Sequence, residues 1–321
     1  MKLKDLYALA VQMGIDADPR GAKEVAADLA RRKAHYKKVD AEEKKYYDEE
    51  QLNNPYFDSR LLYARSLNDD IKTILVGIDM EHTELLLAAE LNRSGHAIDL
   101  VLSHHPEGSA LIRLGDDMHL QNPIVEELGV PINVAEKVLQ PRVTQIRRGL
   151  HPTNFIRSLH TAELLGINYA CTHTITDNMA YQFMNRLVGG KKHRTVGDVI
   201  HAIMKEPEYQ MASKMGNGPM VMAGSKEALA GRVAVTGFTG GTSGHEDIYE
   251  KLSQAGVGTI VAMHMSEKHY QAAEKHHLNV VVAGHMASDS LGVNQLLDAF
   301  EKKGIRIIPC GMFRVSRVKR S

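Results

Sequence analysis

Short apolar runs alternate with amphipathic stretches along most of the chain. Seven of these runs are rich in valine, isoleucine or leucine and stop at turn-forming or polar residues, as buried strands do: 72–78, 98–103, 167–172, 232–236, 259–263, 279–283 and 305–309. The stretches between them repeat apolar residues at helical spacing. Because strands that alternate with helices build parallel or mostly parallel sheets covered by helices, the pattern predicts an α/β fold.

The alternation falls into two sets, which indicates two lobes. The glycine- and lysine-rich segment 189–192 ends the first set. Ahead of it, Leu3, Leu6 and Leu9 recur at helical spacing near the N-terminus. We therefore predict a helical N-terminal extension over residues 1–69, a first α/β lobe over 70–190, a connecting segment over 191–231 and a second α/β lobe over 232–321. The two similar lobes, with central mixed sheets, are expected to face a shared cleft.

Composition excludes several classes of partner. The 39 basic residues balance the 39 acidic ones, so the net charge favours neither nucleic acid nor an anionic membrane. No apolar stretch reaches the roughly 18 residues that span a bilayer, and the N-terminus lacks a signal-peptide pattern. The 2 cysteines form no CxxC pair, so we predict a cytoplasmic protein without a membrane partner. The basic cluster at residues 314–320 is interpreted as a chain terminus, with a nucleic-acid-binding arm as the less favoured alternative.

Candidate chemistry lies where the predicted strands end. His104 and His105 follow the second of the seven runs, and a proline after them prevents the strand from continuing. His173 follows the third run, and His285 follows the sixth. Proteins of the α/β class bind their ligands at the carboxyl ends of the parallel strands. These histidines are therefore expected to lie at one site.

Two of these strand ends share the spacing His-x-x-x-Asp. If a helix begins there, His173 and Asp177 lie on one face, as do His285 and Asp289. The adjacent histidine pair differs, because neighbours on an extended chain point to opposite sides and are suited to two ions rather than one. In a chain with 17 histidines, neither a histidine pair nor a His-x-x-x-Asp spacing by itself usually marks a metal ligand. The joint placement of these patterns at strand ends nevertheless favours a metal site. Imidazole and carboxylate donors suit Zn, Mn, Fe, Co or Ni.

A glycine-rich segment, FTGGTSG at residues 238–244, follows the fourth run. It is typical of a loop that binds phosphate through its backbone. It lacks the lysine of a P-loop and the GxGxxG spacing of dinucleotide-binding proteins. A flexible turn, in which glycine supplies positive φ, explains the composition equally well, so both interpretations stay open.

Three segments carry a resemblance to a known family. They are DLVLSHHP at residues 99–106, YACTHTITDNMA at 169–180 and AGHMASDSLGVNQLL at 283–297. In these segments and in their order the sequence resembles the Nif-three-like family, dinuclear metal-binding proteins also known as type 2 GTP cyclohydrolase I-like proteins. The resemblance spans about residues 71–313 and leaves the N-terminal extension outside.

The resemblance implies a set of metal ligands. Matched residue by residue, it implies two divalent transition-metal ions per chain, held by His104, His105, Asp177, His285 and Asp289. The family usually has glutamate where this chain has Asp289, so the carboxylate is one methylene shorter here. His173 is implied to contact these ligands or to face the substrate. Members of the family often form ring-shaped hexamers, so we expect a homo-oligomer.

Two functions from different classes are compatible with these residues. The first is a metal-dependent hydrolase, similar to type 2 GTP cyclohydrolase I, that acts on a nucleotide or another small phosphorylated or cyclic molecule. In it the ions activate water, and His173 is the candidate catalytic general base or acid. The second is a metal-binding, metal-delivery or regulatory protein without catalysis.

Overall fold

The computed structural model describes residues 1–318. Fourteen α-helices occur in these residues: α1 (Leu3–Asp16), α2 (Ala22–Tyr36), α3 (Ala41–Lys44), α4 (His82–Arg93), α5 (Gly108–Ile112), α6 (Gln121–Glu127), α7 (Ile132–Leu150), α8 (Arg157–Leu165), α9 (His173–Val188), α10 (Val196–Ile203), α11 (Pro207–Lys214), α12 (Ile248–Gln254), α13 (Glu267–Lys275) and α14 (His285–Glu301). Short 3₁₀ helices cover Glu49–Leu52 and Leu114–Leu120. The same residues form nine strands: β1 (Ser59–Tyr63), β2 (Thr73–Gly77), β3 (Leu100–Ser103), β4 (Asn168–Thr172), β5 (Met220–Ala223), β6 (Arg232–Val235), β7 (Val257–Ala262), β8 (Asn279–Val282) and β9 (Arg306–Pro309). Within residues 1–318, no helix combines the length and the apolar character that crossing a membrane requires.

The first sheet has the strand order β1-β4-β3-β2-β9. Strands β2, β3, β4 and β9 run parallel, and β1 pairs with β4 in the antiparallel direction. The three central strands are buried along their whole length. A parallel strand with both faces covered reads as a continuous apolar run, which is why the sequence pattern finds these strands.

The second sheet repeats this arrangement with the order β5-β8-β7-β6. Strands β6, β7 and β8 run parallel, and β5 is an antiparallel edge strand on β8. All seven predicted strands are present, as β2, β3, β4, β6, β7, β8 and β9. The α/β class with two mixed sheets is therefore confirmed.

Three strands depart from the predicted segments. β1 lies in the predicted helical extension but joins the first sheet, so the helical prediction is wrong at residues 59–63. β5 lies in the predicted connecting segment and joins the second sheet. Both are edge strands with partly exposed side chains, so they lack the continuous apolar run of a central strand. β9, predicted within the second lobe, pairs instead with β2 of the first sheet, and an apolar run carries no information about which sheet it joins.

Two buried helices connect the sheets. α9 follows β4 directly, α14 follows β8 after two residues, and the two helices pack against each other. A Cβ atom on Gly292 of α14 would lie 2.3 Å from the carbonyl oxygen of Thr176 in α9, so only glycine permits this approach. Apolar side chains of both helices belong to the hydrophobic cores of both sheets. Packing therefore fixes the first turns of both helices, which carry the candidate ligands.

The C-terminal segment folds back onto α14 and α11. Arg314 donates hydrogen bonds to Asp298 and Glu301 at 3.0 and 2.6 Å. Arg317 donates two hydrogen bonds to the buried carboxylate of Glu208. Acidic side chains therefore neutralise the part of the predicted basic cluster that the structure describes, and residues 319 and 320 of that cluster lie outside the described residues.

Candidate metal centre

The carboxyl ends of strands from both sheets meet at one cleft. His104 and His105 follow β3 of the first sheet. His173 begins α9 after β4, and His285 begins α14 after β8 of the second sheet. The ring centroids of His104 and His173 lie 5.0 Å apart, and those of His105 and His285 lie 5.2 Å apart. The structure thus brings the four strand-end histidines together, as expected for parallel strands.

A first set of donor atoms lies between β3, α9 and α14. Nε2 of His104 is 3.5 Å from Oδ1 of Asp177 and 3.6 Å from Oδ1 of Asp289. All three side chains are buried, and none of these atoms has a hydrogen-bond partner among the described residues. Buried polar atoms without partners are costly, so three of them that face one another indicate a cation site.

Asp289 also belongs to a second set. Its other oxygen, Oδ2, is 3.6 Å from Nε2 of His105 and 3.4 Å from Nε2 of His285. This oxygen, too, is buried and without a hydrogen-bond partner in residues 1–318. The side chain of His285 is 44% exposed, so the second set opens toward the cleft. One aspartate therefore faces both sets, with one oxygen toward each.

The spacing of these atoms fits a transition-metal ion. Separations of 3.4–3.6 Å are too long for strong hydrogen bonds. Two ligand atoms, each about 2.0–2.1 Å from a tetrahedral ion, lie about 3.3–3.4 Å apart. Imidazole nitrogen and carboxylate oxygen are also the donors that such ions accept. The buried histidine and aspartate groups can therefore hold a metal ion, while the roles of the individual residues as ligands remain predictions.

Hydrogen bonds orient the two adjacent imidazoles for this task. The hydroxyl of Thr176 donates to the carbonyl oxygen of Thr172 at 2.6 Å, so its oxygen accepts from Nδ1 of His104 at 2.9 Å. Nδ1 of His105 donates to Oδ1 of Asp79 at 2.6 Å. In both rings the bond at Nδ1 turns Nε2 toward the aspartates, which is how metal-binding histidines are usually held.

The electrostatics of the two histidines differ. Burial lowers the pKa of His104 to about 4. Burial also acts to lower the pKa of His105, but Asp289 and Asp79 outweigh it and raise that pKa to about 9. For Asp177, burial and the charge of Asp289 raise the pKa well above its usual range. A cation held among these side chains would lower the pKa of both His105 and Asp177, because its positive charge disfavours a proton on either group.

His173 lies beside the first set. Its Nδ1 is 2.7 Å from Oδ2 of Asp58, and its Nε2 is 3.6 Å from Oδ2 of Asp177. One nitrogen from each of His104, His105 and His173 also falls within a group whose atoms lie within 4.8 Å of one another. His173 is therefore placed to exchange a proton beside the ions or to contact an ion directly.

Sequence reasoning misses three polar residues of this site. Asp79 follows β2 by two residues, His264 follows β7 by two residues, and both line the cleft. The strand-end pattern that points to the other histidines applies to both of them, because β2 and β7 are parallel strands. Asp58 gives no such signal, since it directly precedes β1, an edge strand without a continuous apolar run.

The donor sets line a cleft of about 390 Å³. Another wall of this cleft is the glycine-rich loop after β6, including Phe238, Gly241 and Ser243. The ring of His264 stands 4.9 Å from that of His285, between the loop and the donor sets. A cleft of this size accommodates a small organic molecule next to the metal donors.

Comparisons with known proteins agree with this architecture. The solved structure of a NIF3 superfamily protein from Sphaerobacter thermophilus has a TM-score of 0.69 and 26% sequence identity, over 80% of this chain and 91% of that one. Reduced HcgD from Methanocaldococcus jannaschii (TM-score 0.48, 14% identity, 78% and 87% coverage) and a Bacillus cereus protein related to NIF3 (0.44, 12%, 82% and 93%) are more distant. No family model and none of the curated proteins compared matches the chain. The chain thus shares its fold with the NIF3 superfamily protein from Sphaerobacter thermophilus, and this similarity supports the resemblance to the Nif-three-like family that the three sequence motifs carry.

Proposed function

We propose that this chain is a dinuclear metal-dependent hydrolase that acts on a nucleotide or another small phosphorylated or cyclic molecule. The observation that carries the proposal concerns Asp289. Its two buried oxygens have no hydrogen-bond partner among residues 1–318, and they face two separate sets of donors. A carboxylate shared in this way between two ions leaves positions on both for water and substrate. Both sets adjoin a cleft with room for such a substrate.

Each donor set corresponds to one ion of the proposed pair. The first ion would be held by His104, Asp177 and one oxygen of Asp289, and the second by His105, His285 and the other oxygen. When bound, such ions supply a Lewis acid and a water molecule whose pKa is lowered toward neutrality. The nitrogen and oxygen donors are compatible with Zn, Mn, Fe, Co or Ni.

His173 is the proposed general base or acid. Its Nδ1–H donates to Asp58, which fixes the ring and leaves Nε2 free beside the cleft. A neutral imidazole held in this way can accept a proton at Nε2 and return it to a leaving group. The carboxylate of Asp58 stabilises the imidazolium while it carries that proton.

Elemental analysis combined with turnover assays tests the proposal. We expect close to two transition-metal ions per chain in the metal-reconstituted protein, and hydrolysis of at least one member of a panel of nucleotides, cyclic nucleotides and phosphoesters. His104→Ala is expected to lose the ion of the first set, and turnover with it, while keeping part of the metal at the second set. The matched control is His201→Ala, since His201 is exposed on α10 and outside both donor sets, and this variant is expected to retain both.

Full metal occupancy without turnover on the panel would favour the alternative function, a metal-binding, metal-delivery or regulatory protein. Ready loss of the metal to a competing chelator, together with no affinity for phosphate-containing compounds, would support that alternative further. Absence of transition metal from the reconstituted wild-type protein would contradict both functions.

A further inference from the structure

We propose that the loop of residues 237–245 binds a phosphoryl group, which makes the substrate an organic phosphate. The loop follows β6 and lines the cleft that holds the donor sets. This assignment rests on the proposed function in one respect, because it takes the cleft to be the substrate site. Of the two interpretations open for this glycine-rich segment, it selects the phosphate-binding loop over the flexible turn.

The loop presents a run of free backbone donors. Among the described residues 1–318, no backbone N–H group of residues 237–245 donates a hydrogen bond to another protein atom. Positive φ angles at Gly237, Gly240 and Gly241 bend this run of N–H groups. Successive N–H groups in such a bent segment form a concave donor surface that binds anions.

The side chain of Gln121, which lies outside the loop, restrains the loop by binding two of its backbone carbonyl groups. Nε2 of Gln121 donates to the carbonyl oxygens of Gly240 and Thr242 at 2.7 and 2.6 Å. Residues 1–318 contain no cis peptide bond, so the N–H of the following residue points away from each held carbonyl. The N–H groups of Gly241 and Ser243 therefore point away from Gln121, and both residues line the cleft. A flexible turn would not need this restraint.

Positively charged side chains line a neighbouring groove of about 730 Å³. Nε of Arg142 donates to the carbonyl oxygen of Ser243 at 3.2 Å, which places the guanidinium against the loop. Arg148 and Lys268 line the same groove. Two glutamates also line it, and Glu246 lies 3.8 Å from the Lys268 ammonium. Within residues 1–318 neither Arg142 nor Arg148 forms an ion pair, so the positive charge of both side chains is available to a ligand.

These features together fit a phosphorylated molecule. The free N–H groups of the loop match the oxygens of one phosphoryl group next to the metal donors. Arg142 and Arg148 match further negative charge, because guanidinium groups bind phosphate through paired hydrogen bonds. The ligand class is therefore an organic phosphate, with a second phosphate of a diphosphate reaching the groove.

Calorimetry with inorganic pyrophosphate and chelator-treated full-length protein tests the loop without the metals. We expect wild-type protein to bind, and Gln121→Met and Arg142→Gln each to weaken binding at least about tenfold. Gln121→Met keeps the side-chain length but removes the donor that restrains the loop. Arg147→Gln is the matched control, because Arg147 lies on the same helix but pairs with Asp116 instead of lining the groove. Its affinity is expected to stay within about twofold of wild type.

A second readout keeps the test decisive if Gln121→Met fails to fold. The backbone amide NMR signals of Gly241 and Ser243 are expected to shift when pyrophosphate is added to metal-free wild-type protein. No binding by that protein, or equal affinity in all three variants, would overturn the phosphate loop. If no substrate is hydrolysed but pyrophosphate still binds in a loop-dependent way, the proposed function alone is contradicted. If a substrate is hydrolysed but pyrophosphate does not bind, the phosphate-binding role of the loop alone is contradicted.

Discussion

Oδ2 of Asp58 lies 2.7 Å from Nδ1 of His173, and this contact determines which imidazole nitrogen faces the cleft. Asp58 is fully buried and also accepts hydrogen bonds from the backbone N–H and the hydroxyl of Thr174. Although burial acts to raise the pKa of Asp58, the imidazole of His173 and the hydroxyl of Thr174 bring it down to about 2. An ionised carboxylate can only accept hydrogen bonds, so Nδ1 of His173 carries a proton and Nε2 is the nitrogen that faces the cleft.

Asp58→Asn is expected to disturb this tautomer. An amide NH₂ facing the ring makes Nδ1 an acceptor and moves the proton to Nε2, where the proposed base needs a lone pair. We expect turnover to fall by about 10²-fold or more. Metal content is expected to be unchanged, because Asp58 belongs to neither donor set. Long-range ¹H–¹⁵N NMR of His173 reads the tautomer without any substrate, and a ring proton that stays on Nδ1 would contradict this role.

Removal of one ligand from each donor set is expected to abolish metal binding. His105→Ala takes a donor from the second set, and Asp177→Ala takes one from the first. Each single variant leaves one set with its three donors, so it is expected to keep part of the metal. Elemental analysis of the three variants checks this, and full occupancy in the double variant would rule out the assigned site.

Substitutions at Asp289 test whether its carboxylate is shared between the two donor sets. Asp289→Asn keeps the size of the side chain but removes the second anionic oxygen, so we expect it to lose both ions. Asp289→Glu restores the carboxylate that the family usually has at this position, and we expect it to bind metal. Metal-to-protein ratios measured side by side decide the point. An asparagine variant that holds as much metal as the glutamate variant would show that Asp289 is not shared.

The strands and the candidate ligands could be predicted from sequence because their signals are local. The covered parallel strands read as apolar runs, and His173 with Asp177 is a spacing within one helical turn. The residues that orient them are distant in sequence. Thr176 is 72 residues from His104, and Asp58 is 115 residues from His173. A single sequence carries no local pattern for such contacts, so the hydrogen bonds that fix the imidazoles appear only in the structure.

The strand β1 and the pairing of β9 could not be predicted for a related physical reason. An edge strand such as β1 has one paired side and partly exposed side chains, so its residues satisfy neither the apolar-run pattern nor a helical one. The last strand, β9, returns to the first sheet beside β2, and its short apolar run carries no information about which sheet it joins. Strand pairing is set by the packed whole, which a local pattern does not encode.

A second buried carboxyl beside Asp58 makes stability depend on pH. Oδ2 of Asp117 accepts hydrogen bonds from the backbone N–H groups of Phe57 and Asp58 at 2.6 and 2.7 Å, while its Oδ1 is buried without a partner in residues 1–318. Burial raises the pKa of Asp117 well above its usual range, and the charge of Asp58 raises it further. Of the two neighbouring carboxyls, Asp117 therefore holds its proton to a higher pH than Asp58 does.

Asp117→Asn is expected to stabilise the protein increasingly as the pH rises. Above the unfolded-state pKa of 3.8 the unfolded chain releases the proton that folded wild type retains. The free energy of unfolding of wild type therefore falls with pH up to the folded-state pKa, by about 1.4 kcal/mol per pH unit, and the variant lacks this loss. Urea unfolding of both proteins at about pH 5 and about pH 7 measures the difference. A difference that does not change with pH would contradict a protonated Asp117.

The C-terminal arginines stabilise the fold. Glu208 is fully buried, and its carboxylate receives two hydrogen bonds from Arg317 at 2.7 and 2.8 Å and one from Asn294 at 2.8 Å. Arg317→Ala would leave this buried charge with the amide of Asn294 alone. Because Arg317 is about a third exposed, we expect a cost of about 2 kcal/mol, below the usual range for a fully buried pair. Thermal and urea unfolding measure it, and DNA affinity is expected to be unaffected.

A second substitution separates the buried charge from lost packing. If the instability of Arg317→Ala comes from an uncompensated carboxylate, adding Glu208→Gln removes that charge and should restore part of the stability. Glu208→Gln alone is expected to be destabilising, because the guanidinium of Arg317 then loses its charged partner. The double variant is therefore expected to be more stable than Arg317→Ala alone. Equal or lower stability of the double variant would mean that Arg317 acts through its packing, and that its ion pair with Glu208 contributes little to the fold.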